Sequence, residues 1–257
     1  MHPLLRHKTL FLDLDGTMYR GDEVIPGAPL FIEALHTLQI PYYFLTNNAM
    51  RTHAQNREKM EAMGFQGLRD AQYFTSAMAA AAYVRHETKL QRVFYIGEDG
   101  MREALLEQGF TLCEEHVEAV FAGLDSNVTY EKLCRAFYHL QKGAVLIGTN
   151  PDRRLPHGDY FRIGNGAMVH MLEYCSEQTA WMIGKPHEPM LKEALRYAGI
   201  AKEDAVVIGD YLETDGAFGL RHGCTSVFVT SGVHSRLDCE QRCLHPDLII
   251  DNLLELV

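Results

Sequence analysis

Positive charge is scarce in this sequence: 24 lysines and arginines face 34 aspartates and glutamates, a formal net charge of −10. An acidic surface repels nucleic-acid phosphates and anionic lipid headgroups, so neither nucleic acid nor membrane is expected as a partner. A small phosphorylated molecule stays open, because a bound cation reverses the field locally. Long apolar runs are missing too. The longest, Ala77 to Val84, is mostly alanine and falls far short of the roughly 20 residues a membrane-crossing helix needs. His2-Pro3-Leu4-Leu5-Arg6-His7-Lys8 lacks the apolar stretch of a secretion signal, which points to the cytoplasm. The six cysteines (Cys113, Cys134, Cys175, Cys224, Cys239 and Cys243) contain no Cys-x-x-Cys pair, so reduced thiols are expected. Cys239, Cys243 and His245, oddly spaced and without a fourth ligand nearby, make a weak zinc signal. No internal repeat, low-complexity tract or Gly/Ser-rich linker is evident.

What is present reads as a folded α/β chain. Hydrophobic residues make up 47% and charged residues 23% of 257 positions, enough for one large domain or two modest ones. Strand-like runs at Leu10–Leu14, Tyr42–Leu45, Val93–Ile96, Ala144–Gly148, Trp181–Ile183, Ala205–Ile208 and Val227–Thr230 alternate with helical patterns such as Pro29–Leu38, Thr52–Met63 and Glu188–Ala198. Gly199 supplies a helix stop after the last of these. Such alternation predicts a parallel sheet wrapped by helices. Three apolar strands run into polar residues, Asp13, Thr46 and Asp210. Open α/β sheets bind ligands at the carboxyl ends of their strands, so these three are candidates to line one crevice.

Four segments carry chemistry. In Asp13-Leu14-Asp15-Gly16-Thr17 two carboxylates stand at i and i+2, and Gly16 lets the backbone turn so that both surround one ligand. Carboxylates this close repel unless a metal or a shared proton intervenes; otherwise the segment is a solvated turn. Thr46-Asn47-Asn48 offers a hydroxyl and backbone N–H groups suited to phosphoryl oxygens, although alone it is an ordinary loop sequence. Gly184-Lys185-Pro186 places a lysine between a strand and a helix, a fixed positive charge for phosphate and carboxylate. Gly209-Asp210-Tyr211-Leu212-Glu213-Thr214-Asp215 gives a second acidic pair for a hard cation, or else helix caps.

Taken in order, these four segments resemble the motifs of the haloacid dehalogenase superfamily, over nearly the whole chain. Asp13-Leu14-Asp15-Gly16-Thr17-Met18-Tyr19-Arg20-Gly21, Ile25-Pro26-Gly27-Ala28, Thr46-Asn47-Asn48, Thr149-Asn150-Pro151-Asp152 and Gly184-Lys185-Pro186 are similar to its class IIA, NagD-like or p-nitrophenylphosphatase-type branch. The resemblance implies a Rossmann-like parallel-sheet core from residues 1–77 and 180–257, with an inserted α/β cap domain at 78–179. It also implies phosphate-monoester hydrolysis through an aspartyl phosphate: Asp13 as nucleophile and Asp15 as general acid and base. Gly16, Thr46, Asn47 and Lys185 would bind phosphate, with Thr46 and Lys185 also serving catalysis. Mg2+ would be held by Asp13, Asp210 and the Asp15 carbonyl, with Asp215 in support.

Asp15 argues against carbon–halogen chemistry, because the dehalogenase members differ there. Two departures from the usual pattern are Tyr211, where arginine or a small polar residue is common, and Gly216, expected to loosen the helix start by about 1 kcal/mol relative to alanine. Cap residues expected to face the site lie in Asp125-Ser126-Asn127, Asn150-Pro151-Asp152 and Gly164-Asn165-Gly166. The expected substrate is a small phosphorylated metabolite (a nucleoside monophosphate, a sugar phosphate or a p-nitrophenyl phosphate type), and relatives suggest a homodimer through the cap. The rival expectations are a phosphotransferase and a catalytically inactive phosphate-ligand-binding protein of the same fold.

Overall fold

The computed structural model describes residues 2–157 and 160–257, which pack as two compact units. The first unit comprises Met1–Thr46, Gln55–Phe74 and Ala194–Val257. Its six-stranded sheet runs Leu248–Ile250, Thr225–Val229, Ala205–Gly209, Thr9–Leu12, Tyr42–Thr46 and Tyr73–Thr75. Pairings among the first five strands are parallel. Every residue of Thr9–Leu12 and of Ala205–Gly209 is buried, which is why these strands read as continuous apolar runs and not as alternating ones. The helix Ala28–Thr37 turns Phe31, Ile32 and Leu35 into the same core as Leu10, Leu12, Phe44, Val206 and Ile208, the i, i+1, i+4 stripe of an amphipathic helix.

The order of these strands fixes where a site can form. From the central strand Thr9–Leu12 the chain passes to Tyr42–Thr46 on one side, and much later to Ala205–Gly209 on the other. The sheet order therefore reverses between adjacent parallel strands, and it is at the carboxyl ends of such strands that open α/β sheets bind ligands.

The second unit comprises Asn47–Ala54 and Thr75–Glu193. Its sheet runs Trp181–Met182, Val145–Gly148, Ala119–Ala122, Arg92–Ile96 and Thr111–Leu112, all parallel. Phe94, Ile96, Val120, Leu146, Val169 and Leu172 form its core. The predicted strand at Trp181–Ile183 exists as Trp181–Met182 and completes this second sheet, Trp181 lying opposite Ile147. Lys185 thus follows a strand of the second sheet, whereas Asp13 and Asp210 follow strands of the first and Thr46 ends one. By packing, the second unit takes in residues on both sides of 78–179. Among the described residues no helix is long and apolar enough to cross a membrane.

Candidate active site

In the first unit the polar residues begin where the central strands stop. The Asp13 amide donates to the Ile208 carbonyl at 2.9 Å, one residue beyond the strand Thr9–Leu12, and Asp13 is only 9% exposed. Beyond it the chain coils: the Leu14 carbonyl accepts from the amides of Thr17, Met18 and Tyr19. Gly16 makes this turn at φ +95°, and a Cβ there would lie 2.2 Å from Asp210 Oδ2. Glycine is required twice over, by the left-handed backbone and by the close approach.

Asp210 and Asp215 complete the group. One carboxylate oxygen from each of Asp13, Asp210 and Asp215 lies within 4.8 Å of the others, and Asp210 and Asp215 are 0% and 3% exposed. Asp210 is held from three sides: Thr17 Oγ1 donates to Oδ1 at 3.2 Å and the Val233 amide donates to Oδ2 at 3.0 Å. On the third side a Cβ on Gly232 would lie 1.6 Å from Oδ2. Asp215 Oδ2 accepts from the Tyr211 amide at 3.3 Å and Thr214 Oγ1 at 3.4 Å, while Gly209 leaves room for it, since a Cβ there would sit 2.3 Å from Asp215 Cγ. Three buried carboxylates in one place repel strongly, and an all-oxygen donor set of this kind fits a hard divalent cation. Asp15 is exposed and stands outside the three-carboxylate group. Thr46, 3% exposed, ends the strand next to Thr9–Leu12.

Between Asp210 and Asp215 the backbone forms a wide π-helical turn, Leu212–Gly216. The Tyr211 carbonyl accepts from the amides of Thr214, Asp215 and Gly216. The glycine expected to weaken a helix start lies within this turn, and the α-helix begins one residue later at Ala217. The sequence did not mark Thr17 as a partner of Asp210, nor Ser231, Gly232 and Val233 as neighbours of this group. The available signal for the latter was the strand Val227–Thr230, which runs into polar residues and glycine as the motif-bearing strands do.

In the second unit Asn47 and Lys185 come together. Asn47 Oδ1 accepts from the Lys185 amide at 2.8 Å, and its Nδ2 donates to the Lys185 carbonyl at 3.0 Å. The same Nδ2 reaches both Asp152 carboxylate oxygens, at 3.3 and 3.2 Å. Gly184 permits this fit, because a Cβ there would meet Asn47 Oδ1 at 2.7 Å and the Thr149 carbonyl at 2.4 Å. Lys185 is 2% exposed, and the Asn47 side chain holds its backbone at both amide and carbonyl. The Asn47 carbonyl accepts from Asn150 Nδ2 and Ser76 Oγ, at 2.8 and 2.6 Å.

Of the expected cap residues, Asn165 is 1% exposed and its amide bridges the Ala122 carbonyl, Thr149 Oγ1 and the Asn150 carbonyl, a brace across strand ends. Asp125 is 7% exposed and paired with Lys132 at 2.7 Å. His53, Glu103 and Glu107 in this unit also approach one another, but the three are half-buried to exposed. Among the described residues Cys239, Cys243 and His245 form no such group.

A family model for haloacid dehalogenase-like hydrolases matches residues 10–111, and a second one for that hydrolase type matches residues 182–256. The acid sugar phosphatase of Staphylococcus aureus (strain MRSA252) is 34% identical over 253 residues, spanning 98% of this chain and 97% of the relative. The chain belongs to the haloacid dehalogenase-like hydrolases. NagD from Escherichia coli K-12 superposes with a TM-score of 0.90 at 28% identity, over 97% of this chain and 98% of NagD. A mutant of the thermostable p-nitrophenylphosphatase from Bacillus stearothermophilus superposes with a TM-score of 0.86 at 37% identity, over 96% and 97% of the two chains. These likenesses place this haloacid dehalogenase-like hydrolase in the class IIA, NagD-like branch, as a phosphoric monoester hydrolase.

Proposed function

We propose that this chain hydrolyses phosphate monoesters of small metabolites, sugar phosphates foremost and p-nitrophenyl phosphate as a surrogate, with Mg2+ at the Asp13–Asp210–Asp215 group. The observation that carries this is the buried seat of Asp210: two glycines without a Cβ, one hydroxyl and one amide hold a carboxylate beside two others. So many constraints on one anion suit a cation site better than a structural turn. The likenesses to an acid sugar phosphatase and to p-nitrophenylphosphatases support this choice of substrate class.

In this mechanism Asp13, Asp210 and the Asp15 carbonyl would hold Mg2+, with Asp215 in support. Bound there, Mg2+ would supply the positive charge that offsets the phosphoryl oxygens. An Asp13 carboxylate oxygen attacks phosphorus, and the bond from phosphorus to the ester oxygen breaks. Asp15, as the acid, gives its proton to the departing oxygen. Asp15 then takes a proton from water, whose oxygen attacks phosphorus and frees Asp13 and inorganic phosphate. The Thr46 hydroxyl and the amides of Gly16 and Asn47 orient the phosphoryl oxygens, and Lys185 balances their charge. Segment 78–179 acts as a cap that selects the leaving group and joins two copies in a homodimer, and the enzyme works in the cytoplasm.

The test is a screen of phosphate esters with Mg2+ present and then chelated, following free phosphate without any added acceptor. Turnover that stops on chelation and returns with Mg2+ is expected. Asp13→Asn is expected to lose at least ~10³-fold in kcat while keeping its fold. Undiminished turnover in Asp13→Asn would remove Asp13 from the mechanism.

A further inference from the structure

Leu212 opens the turn that carries Asp215, and its amide points out of the turn. The acceptor comes from a distant part of the chain: His234 Nδ1 takes the Leu212 N–H at 3.1 Å. An imidazole nitrogen facing an amide N–H is unprotonated, so the ring proton sits on Nε2. His234 is 8% exposed, and the Tyr211 ring stacks on it with centroids 4.7 Å apart and planes 17° apart. The Tyr211 hydroxyl donates to Glu213 at 3.2 Å, and Glu213 is paired with Arg242.

The backbone around His234 is equally tied down. At the start of the following short helix the Ser235 amide and hydroxyl both donate to Asp238 Oδ2, at 2.7 and 2.6 Å. One residue before His234, the Val233 amide holds Asp210 Oδ2 at 3.0 Å, and Ser231 Oγ donates to the Gly16 carbonyl at 2.9 Å. One loop, residues 231–235, therefore grips Gly16, Asp210 and the Leu212 amide.

We propose that His234 is a positioning residue for the metal-holding turn: its Nδ1 caps the Leu212 amide, its ring is clamped by Tyr211, and the pair fixes Asp215 relative to Asp210. This rests on the metal role proposed above for those two carboxylates. It also gives Tyr211 a purpose. Tyrosine supplies the flat face against which the imidazole is oriented, so the unusual residue after Asp210 and the histidine at 234 act as one unit. Outer partners that orient a metal's carboxylates are worth about 10–100-fold in metal affinity or activity.

The experiment compares His234→Ala with His234→Asn. The Oδ1 of asparagine occupies nearly the position of Nδ1 and keeps the acceptor, whereas alanine removes it. Two quantities are read: amide hydrogen exchange at Leu212 without metal, and the Mg2+ concentration giving half-maximal hydrolysis of p-nitrophenyl phosphate. His234→Ala is expected to speed exchange at Leu212 and raise the Mg2+ requirement about 10-fold, with the KM for the ester at saturating Mg2+ little changed. His234→Asn is expected to stay within about twofold of wild type on both counts, because the acceptor persists. Unchanged exchange in His234→Ala overturns the assignment. So does a wild-type Mg2+ requirement in that variant, or an asparagine variant as impaired as the alanine one. A wild-type enzyme indifferent to Mg2+ strikes instead at the metal reading, and the exchange result still judges the cap on Leu212. If His234→Ala does not fold, the asparagine variant decides: loss of Leu212 protection in a folded His234→Asn refutes the acceptor role.

Discussion

Replacing Gly232 by alanine probes the seat of Asp210 with a single methyl group. Gly232 does not have a left-handed backbone, so alanine introduces no dihedral strain and the whole effect is contact. The new Cβ would lie 1.6 Å from Asp210 Oδ2, against an ordinary contact beginning near 3.4 Å, so carboxylate and loop must part by about 2 Å. That separation breaks the bonds from Thr17 Oγ1 and the Val233 amide. Hydrogen bonds to a charged group contribute about 1.5–3 kcal/mol each, which puts the loss near 3–6 kcal/mol without relaxation. The lower figure applies if residues 231–235 give way. At about 2–4 °C per kcal/mol for a chain of this size, Tm falls by roughly 6–12 °C at the lower figure and roughly 12–24 °C at the upper. The fold should survive, since domains carry about 5–15 kcal/mol. Activity should suffer more, because even a 1 Å displacement at a reacting centre costs about 10²-fold.

The assay is a thermal melt beside p-nitrophenyl phosphate hydrolysis over a Mg2+ series. Gly21→Ala serves as the control: its φ is +62° with no atom within 4 Å of the added Cβ, so it brings backbone strain of about 1 kcal/mol and no displacement of Asp210. A Gly232→Ala enzyme that melts and turns over within about threefold of wild type would refute the reasoning, because Asp210 would then work from another position.

Asn47→Ala removes both side-chain bonds to the Lys185 backbone and the contacts to both Asp152 carboxylate oxygens, while keeping the Asn47 amide. It is expected to lower kcat/KM by about 10–100-fold, with inorganic phosphate binding more weakly in a calorimetric titration. Glu118→Gln tests a pH effect. The amides of Arg92 and Gln91 donate to the Glu118 carboxylate at 2.8 and 2.7 Å and hold its pKa below the usual value. A pKa lowered on folding stabilises above the unfolded carboxylate value, and that increment vanishes as pH falls through the folded value. The glutamine variant should therefore lose less urea resistance than wild type on acidification and be less stable at neutral pH, by under about 1 kcal/mol because the site is solvent-screened.

The sequence alone determined a good deal, and for a local reason. Asp13, Thr46 and Asp210 announce themselves because a buried parallel strand is a continuous apolar run, and the polar residue ending it marks the strand's carboxyl end. Gly16 was legible because a turn between close carboxylates demands glycine's freedom. Only the tertiary structure decided what lies opposite. Gly232, Val233 and His234 reach the Asp210–Asp215 turn from more than 20 residues along the chain, through one amide, one absent methyl and one imidazole nitrogen. Neither periodicity nor spacing encodes such contacts. Likewise the sequence marked Trp181–Ile183 as a strand, but a strand's pattern names its faces and not its neighbours. Pairing with Val145–Gly148, which puts Lys185 at the end of the second sheet, was settled by long-range packing.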